Sequence, residues 1–385
     1  MINYKIYTSY KELPKSWNIL ATNDIFLQAD YLKALEEASP TTISLYYVGV
    51  FSSDELVGVS IIQRVEIYAK DVFRSYNSSI LKEFFKSSIS KILKGNILVI
   101  GNLTHTGQHG LLYKKEKISQ SEYLDTLFKS TIQLKKNIKQ NIKKNIRIIM
   151  LKDFFLDDSI HLEKEFFKSH QLNKVFVQPN MIMNVKPSWL TFHDYYDSFN
   201  KKYKRRYKTA RKKFNSTVVQ EMDLESIHSN LKLMYALYLN VSNNAKVNTF
   251  ILPENHFYIF KKHLKERFKV FGYFLDNKLV GFYTLIINNA SLETYFLGYE
   301  DEHQYKNQLY LNMLYDMAKF GIENGLSSIV YARTAMEIKS SVGAKKEDMV
   351  VYMKHTNIIA NFLFRQIFNT MNPAQKWSER HPFKT

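Results

Sequence analysis

The chain has 385 residues, with 45% hydrophobic and 15% aromatic residues, which is typical of a globular protein with room for two domains. It contains no cysteine, so disulfides, thiolate nucleophiles and cysteine zinc sites are excluded. The formal net charge of +18 predicts attraction to an anionic partner such as nucleic acid, lipid headgroups or a phosphate-bearing cofactor. The first residues lack the apolar core of a secretory signal, and no apolar stretch reaches the about 18 residues of a membrane span. We therefore expect a cytoplasmic protein.

The first half of the chain predicts a helix, a strand pair and then a strand, a helix and a strand. These elements lie over residues 24–38, 43–51, 56–67, 96–101, 121–141 and 146–151. In the first helix, the spacing of apolar residues turns four side chains inward: Phe26, Tyr31, Leu32 and Leu35. Residues 68–94 have no counterpart later in the chain and are interpreted as an insertion.

The second half repeats this order. VGVFSSDELVGV at 48–59 aligns with FGYFLDNKLVGF at 271–282, so Gly49 and Gly58 correspond to Gly272 and Gly281. A strand, a helix and a strand follow, over 292–298, 307–323 and 327–332. The repeat predicts an α/β (α+β) fold of two tandem domains, 1–155 and 156–385, each a mixed, mostly antiparallel sheet flanked by helices.

The most strongly charged element is a predicted helix within residues 196–214. Nine of the thirteen residues from Lys201 to Lys213 are basic, and none is acidic. Aromatic and apolar residues recur at helical spacing, so the helix is expected to be amphipathic. Like charges four residues apart disfavour such a helix. The pattern indicates either a solvated face or a surface that binds anions, for which Lys204, Arg205 and Arg206 are the candidates.

The strand at 327–332 leads into a predicted ligand-binding corner. Thr334 to Glu337 fits a capping box that begins a short helix, so Arg333 would lie where a strand ends and a helix begins. Lys339 adds a second cation. The alternative is a purely structural βαβ unit, in which both cations form ion pairs with Glu300 or Glu337.

Several enzyme signatures are missing from the sequence: the P-loop, the Rossmann glycine loop, HExxH and G-x-S-x-G. His105 and His109 in NLTHTGQHG have the spacing of a metal pair on a helix, but the glycines beside them indicate a loop, so no metal site is expected. Glycine lets the backbone approach a ligand closely. We interpret His105, Gly107 and His109 as part of a substrate-binding loop.

The two α/β halves, the helix KKYKRRYKTARKKF and the run from GYE at 298–300 to YARTAMEIKSSVGA at 331–344 together resemble the FemAB-like acyltransferases. These proteins are tandem-domain relatives of the GNAT N-acetyltransferases, and the resemblance covers most of residues 24–355. It implies two GNAT-like domains and transfer of an acyl group from a thioester or an aminoacyl ester to an amine. The co-substrate would be acyl-CoA or another thioester, with no covalently bound cofactor, and the acceptor a small-molecule or lipid amine.

The resemblance also implies where the donor binds. GNAT enzymes hold it where two central strands diverge and grip its pyrophosphate with a glycine-containing turn. The matching turn, Asp301 to Asn307, contains no glycine, as in Fem-type enzymes that use aminoacyl-tRNA. The donor contacts would then come from four residues: Tyr299, Tyr305, Lys306 and Asn307.

The chemistry requires an acid, a base and charge stabilisation. Tyr310 is the candidate acid, with a core tyrosine as the alternative. Glu337 and Glu293 are candidate bases, with a capping or surface position as the alternative. Arg333 and Lys339 would bind an acidic substrate or a donor phosphate.

Three functions stay open. The first is N-acyl transfer from acyl-CoA or acyl carrier protein, and the second is aminoacyl transfer from aminoacyl-tRNA. The third is a non-catalytic role in binding nucleic acid or an anionic membrane surface.

Overall fold

The computed structural model describes residues 1–67, 95–214, 216–244, 250–363 and 377–384, so the predicted insertion at 68–94 lies outside the described residues. The chain forms two compact units. The first consists of residues 1–177, 245–253 and 348–373, and the second of residues 178–244, 254–347 and 374–385. The first unit extends beyond the predicted boundary at residue 155, because the segment that follows packs on it: the Phe166 ring lies 5.9 Å from that of Phe128.

The first unit is a mostly antiparallel sheet with helices on it. Its strands are β1 (Ile2–Tyr7), β2 (Ile43–Ser52), β3 (Glu55–Ile67), β4 (Gly95–Ile100), β5 (Leu111–Tyr113), β6 (Ile146–Phe155) and β13 (Lys345–His355). Its helices are α1 (Ser16–Leu20), α2 (Ala29–Glu37), α3 (Gln120–Ile142) and α4 (Lys164–Ser169). The strand order is β1-β2-β3-β4-β6-β13, with β5 beside β3, and only β4 and β6 are parallel.

The second unit repeats the plan. Its strands are β7 (Asn173–Asn184), β8 (Thr217–Glu221), β9 (Phe268–Leu275), β10 (Lys278–Asn288), β11 (Ser291–Tyr299) and β12 (Ser328–Val330). Its helices are α5 (Phe192–Asp197), α6 (Lys201–Lys213), α7 (Leu224–Ser229), α8 (Leu231–Asn244), α9 (His256–Leu264), α10 (Asp301–Lys306), α11 (Leu309–Glu323) and α12 (Met336–Ser340). The order is β7-β12-β11-β10-β9-β8, in which only β11 and β12 are parallel.

The local sequence explains where helices begin in the first unit. The Asp24 side chain accepts a hydrogen bond from the Phe26 amide and begins a short 3₁₀ turn, so the helix predicted over 24–38 is split into that turn and α2. The four side chains predicted to face inward there are fully buried. Ser119 and Glu122 form a complete capping box at the start of α3.

The two hairpins, β2–β3 and β9–β10, share a β-bulge at the same place. Val57 is the extra residue of the first and Val280 that of the second, and each precedes the glycine predicted to correspond, Gly58 or Gly281. A bulge increases the local twist and re-aims the strand. Its recurrence confirms the predicted correspondence of the two halves in the backbone.

Each of these glycines lies under the long helix of its unit. A Cβ at Gly58 would be 2.5 Å from the Tyr123 ring on α3, and one at Gly281 would be 2.8 Å from Leu309 on α11. A larger side chain would therefore push the helix from the sheet. Within the described ranges, no helix is both long and apolar enough to cross a membrane.

Candidate functional site

The central strands of the second unit diverge. Ser291 to Glu293 of β11 pair with Ser328 to Val330 of β12, and no pairing between these strands continues beyond Glu293. The chain after β12 continues its pairing with β7, where the Tyr331 amide donates to the Met181 carbonyl at 2.8 Å. Since β11 runs on to Tyr299, its last six residues continue past the end of its pairing with β12.

A bulge in β11 occurs just after the divergence. Leu285 pairs with Thr294 and Tyr283 with Leu297, so two residues of β11 lie opposite Thr284 alone. The Thr284 hydroxyl donates to the Phe296 carbonyl at 2.7 Å and fixes this geometry. Bulges are common beside active sites because they redirect backbone groups.

Tyr310, in the first turn of α11, lies beside the ends of both diverging strands. Its ring is 6.3 Å from that of Tyr299 at the end of β11. The charge of an ionised Tyr310 also helps to raise the pKa of Tyr331, which follows β12. Burial raises the pKa of Tyr310 well above its usual value, and Tyr299 contributes less. Within the described parts of the chain the Tyr310 hydroxyl forms no hydrogen bond. It is therefore a protonated group available to a ligand.

The turn predicted between β11 and α11 is mostly the short helix α10. Gln304, which sequence reasoning missed, accepts a hydrogen bond from the Tyr310 amide at 2.9 Å. Tyr305 is 83% exposed and Lys306 is also exposed, whereas Asn307 is buried and donates to the Lys213 carbonyl at 3.3 Å. Of the four predicted donor contacts, Tyr299 lies beside Tyr310, and Asn307 holds the turn against α6.

The predicted capping box at Thr334 does not form. α12 begins at Met336, and its N-cap Ala335 has a left-handed φ of 46° with no side-chain cap. Thr334 has a φ of 67°, outside the extended conformation that a capping residue needs. The side chain of Glu337 instead pairs with Arg380, which opposes its predicted role as a base.

Backbone strain accumulates in the segment from Ala332 to Ala335. Ala332, Thr334 and Ala335 all have positive φ, which costs on the order of 1–3 kcal/mol for each non-glycine residue. A β-branched threonine in this region is a clear outlier. Such strain clusters at binding and catalytic sites. Arg333 lies in the middle of this segment.

Lys339 holds the strained segment. Its side chain is 5% exposed, and its Nζ donates to the carbonyls of Ala332 at 3.2 Å and Arg333 at 2.6 Å. Burial lowers the pKa of Lys339 to about 7. The ion pair considered for Lys339 is not formed, since Glu300 pairs with Lys278 at 2.7 Å and Glu337 with Arg380. Lys339 is a positioning residue rather than an exposed phosphate ligand.

Glu293, the other candidate base, is not on the surface. Its side chain is 3% exposed, and its carboxylate accepts a hydrogen bond from the Ser291 hydroxyl at 3.1 Å. The alternative of a surface position is therefore wrong for Glu293.

The histidine loop of the first unit is packed. The rings of His105 and His109 each lie 4.2 Å from that of Phe26. The Gly107 amide, at a φ of 125°, donates to Asp153 at 3.2 Å. Asp153 is fully buried and was missed by sequence reasoning. This loop follows β4 and precedes α3, as α10 follows β11 and precedes α11, so the two units use this position differently.

The basic helix α6 is fixed to α11. Arg211 and Asp316 form an ion pair at 2.6 Å, and the buried Asn312 donates to the Ala210 carbonyl at 3.1 Å. Lys204 pairs with Asp197 at 2.6 Å, whereas Arg205 is exposed and Arg206 partly so. Of the three predicted anion ligands, Lys204 already has a carboxylate partner.

No protein-family model matches the chain, and no curated protein matches it. Among solved structures, FemX matches with a TM-score of 0.55 and 12% identity, over 90% of this chain and 96% of that chain. A tandem GNAT protein from the clavulanic acid biosynthesis pathway, in a form without AcCoA, matches with a TM-score of 0.53 and 8% identity, over 93% and 99%. The chain therefore has the FemAB-like, tandem GNAT-type fold that its sequence resembles.

Proposed function

We propose that this protein is an N-acyltransferase that moves an acyl group from a thioester, either acyl-CoA or acyl carrier protein, to an amine. The observation that carries the proposal is the divergence of β11 and β12, with Tyr310 beside the ends of both strands. The fold of the neighbours supports acyl transfer as the reaction class. The acceptor is a small-molecule or lipid amine.

In this mechanism the acyl carbonyl lies against the backbone of β11. The amine attacks the carbonyl carbon, and a C–N bond forms as the C–S bond breaks. Backbone N–H groups aimed at the carbonyl oxygen stabilise the oxyanion of the tetrahedral intermediate. As the intermediate collapses, Tyr310 donates its proton to the leaving sulfur as general acid and takes up the proton that the amine loses, so the tyrosine ends the step protonated.

The strained segment after β12 gives Arg333 its role. Because Lys339 fixes the Arg333 carbonyl, the Arg333 side chain extends from a rigid backbone. A preorganised guanidinium binds carboxylate or phosphate through two parallel hydrogen bonds. We propose that Arg333 binds the anionic group of the donor or of an acidic acceptor.

The first prediction tests Tyr310. With acyl-CoA and acyl carrier protein thioesters and a pool of amines, transfer is followed by thiol release and by mass spectrometry of acylated products. Tyr310→Phe should lower kcat by about 10²–10⁴-fold, because it removes the acid. Its melting temperature should stay unchanged, since the hydroxyl forms no hydrogen bond in the described parts of the chain.

Tyr4→Phe is the matched control, because Tyr4 lies on β1, is not among the predicted donor contacts, and its hydroxyl also forms no hydrogen bond in the described parts of the chain. It should retain full activity. If no thioester supports transfer in the wild-type protein, the thioester proposal is wrong; equal rates for Tyr310→Phe and wild type would remove Tyr310 from the mechanism.

A second donor, aminoacyl-tRNA, is favoured by one observation. The Tyr310 amide, at the helix end where GNAT enzymes bind pyrophosphate, is already occupied by the Gln304 side chain. A donor that does not need this amide fits such a turn. Transfer from aminoacyl-tRNA, with thioesters inert in the same assay, would select this alternative.

A further inference from the structure

The outward face of α6 is a continuous cationic stripe. Four basic residues lie at spacings of four, three and four, and all are exposed: Lys201, Arg205, Lys208 and Lys212. At 3.6 residues per turn they fall within an arc of about 60°. They point away from the buried Tyr203, Ala210 and Phe214. We refer to these four residues as the α6 stripe.

No carboxylate neutralises the α6 stripe within the described ranges of the chain. The ion pairs of α6 are those of Lys204 with Asp197 and of Arg211 with Asp316, on the side of the helix that faces α5 and α11. Like charges at these spacings destabilise a helix. The stripe is nevertheless held rigid, because Arg211 and the Ala210 carbonyl fix α6 to α11. A rigid, uncompensated row of cations is the complement of an anionic surface.

The shape of the stripe favours a broad surface over a nucleic-acid strand. It is straight and about 17 Å long, at a rise of 1.5 Å per residue. Single-stranded nucleic acid is bound through bases stacked on aromatic rings, whereas Tyr203 and Phe214 of α6 are buried. A row of lysine and arginine without exposed aromatic rings instead matches phosphate headgroups.

A second surface, in the first unit, also favours lipid. Residues 358–363 are helical, and the exposed fractions of their large apolar side chains are 76%, 73%, 63% and 50% for Ile358, Ile359, Phe362 and Leu363. Their spacing places them on one face of the helix. Exposed apolar clusters of this kind mark contacts with protein or membrane.

We propose that the protein is a peripheral membrane protein whose α6 stripe docks on anionic lipid headgroups. The proposal goes beyond acyl transfer and is independent of it, since docking needs no turnover. If both hold, docking brings the site close to lipid amines.

The test is co-sedimentation of the full chain with vesicles at 0.1 M salt. Phosphatidylcholine vesicles containing about one third phosphatidylglycerol should retain the protein, and pure phosphatidylcholine vesicles should not. Retention should fall steeply by 0.5 M salt, because the Debye length shortens from about 10 Å. The variant K201Q/R205Q/K208Q/K212Q should lower the partition coefficient at least tenfold, since each cation near such a surface contributes roughly a factor of five.

The control removes four exposed lysines of the first unit, K115Q/K129Q/K136Q/K139Q, and thus the same charge. It should bind nearly as well as wild type. The stripe variant should melt at the wild-type temperature or slightly above it, because repulsion along α6 is relieved. Equal loss in both variants, equal binding to neutral vesicles, or unchanged binding of the stripe variant would overturn the proposal. Stripe-dependent retention of RNA without stripe-dependent vesicle binding would overturn it in favour of RNA.

Discussion

Lys339 shows how one buried side chain supports a strained backbone. A neutral lysine has two N–H groups and a charged one has three, whereas the Lys339 Nζ donates to two carbonyls, those of Ala332 and Arg333. The neutral amine therefore satisfies both carbonyls without placing a charge in a buried site. This agrees with a pKa lowered to about 7 by burial.

The pH dependence of stability follows from this pKa. Below about pH 7, Lys339 is protonated in both the folded and the unfolded state and contributes no pH dependence. Between about 7 and the unfolded value of 10.5, only the unfolded state keeps the proton, so the free energy of unfolding rises with pH. The contribution approaches about 1.4 kcal/mol per pH unit. Denaturant unfolding between pH 6.5 and 9.5 should show this slope in the wild type and lose it in Lys339→Met.

Lys319→Met is the control, since Lys319 is exposed on α11 and should leave the slope intact. Identical slopes for the wild type and Lys339→Met would mean that Lys339 is charged in the folded protein throughout this range. Lys339→Met should also lower acyl transfer, because it releases the segment that carries Arg333.

At the scale of elements, both units hold a hairpin glycine against their long helix with no space for a side chain. Gly58→Ala and Gly281→Ala each place a methyl group inside van der Waals distance of a helix side chain. Each should destabilise its unit by about 1–3 kcal/mol, the range for overpacking. Urea unfolding measures the cost. Gly49→Ala should cost less than Gly58→Ala, because its closest contact is at 3.0 Å rather than 2.5 Å; the reverse order would contradict the repeat-based packing.

The sequence predicted most helices and strands near the site because their periodicity is local. The spacing of apolar residues in α6 and α11 reflects the packing of one face of each helix. The glycines of the two hairpins reflect the close approach of a helix. The prediction of a capping box at Thr334 was wrong, because the residue types fit the motif but the backbone of Thr334 has a positive φ. α10 was missed because its glycine-free sequence looked like a polar turn, and no local pattern shows that Gln304 caps Tyr310.

At the scale of the whole molecule, the first unit depends on a strand from the far end of the chain. β13 pairs with β6 in antiparallel register, from Met349 opposite Phe155 to His355 opposite Ile148. A fragment of residues 1–177 lacks this partner and leaves an edge of β6 unpaired. Unpaired edges promote association between chains. We expect this fragment to aggregate or to unfold without a cooperative transition in circular dichroism, whereas a monomeric, cooperatively folding fragment would contradict this dependence.

The late position of β13 in the chain also determines when the first unit can complete its sheet during synthesis. At about 5–20 residues per second, the ribosome takes roughly 10–40 s to proceed from Phe155 to Lys345. For that interval β6 has β4 on one side but no strand on the other, and a chaperone that binds extended segments can bind this open edge. The unit whose synthesis begins first therefore completes its sheet only after most of the second unit has been made.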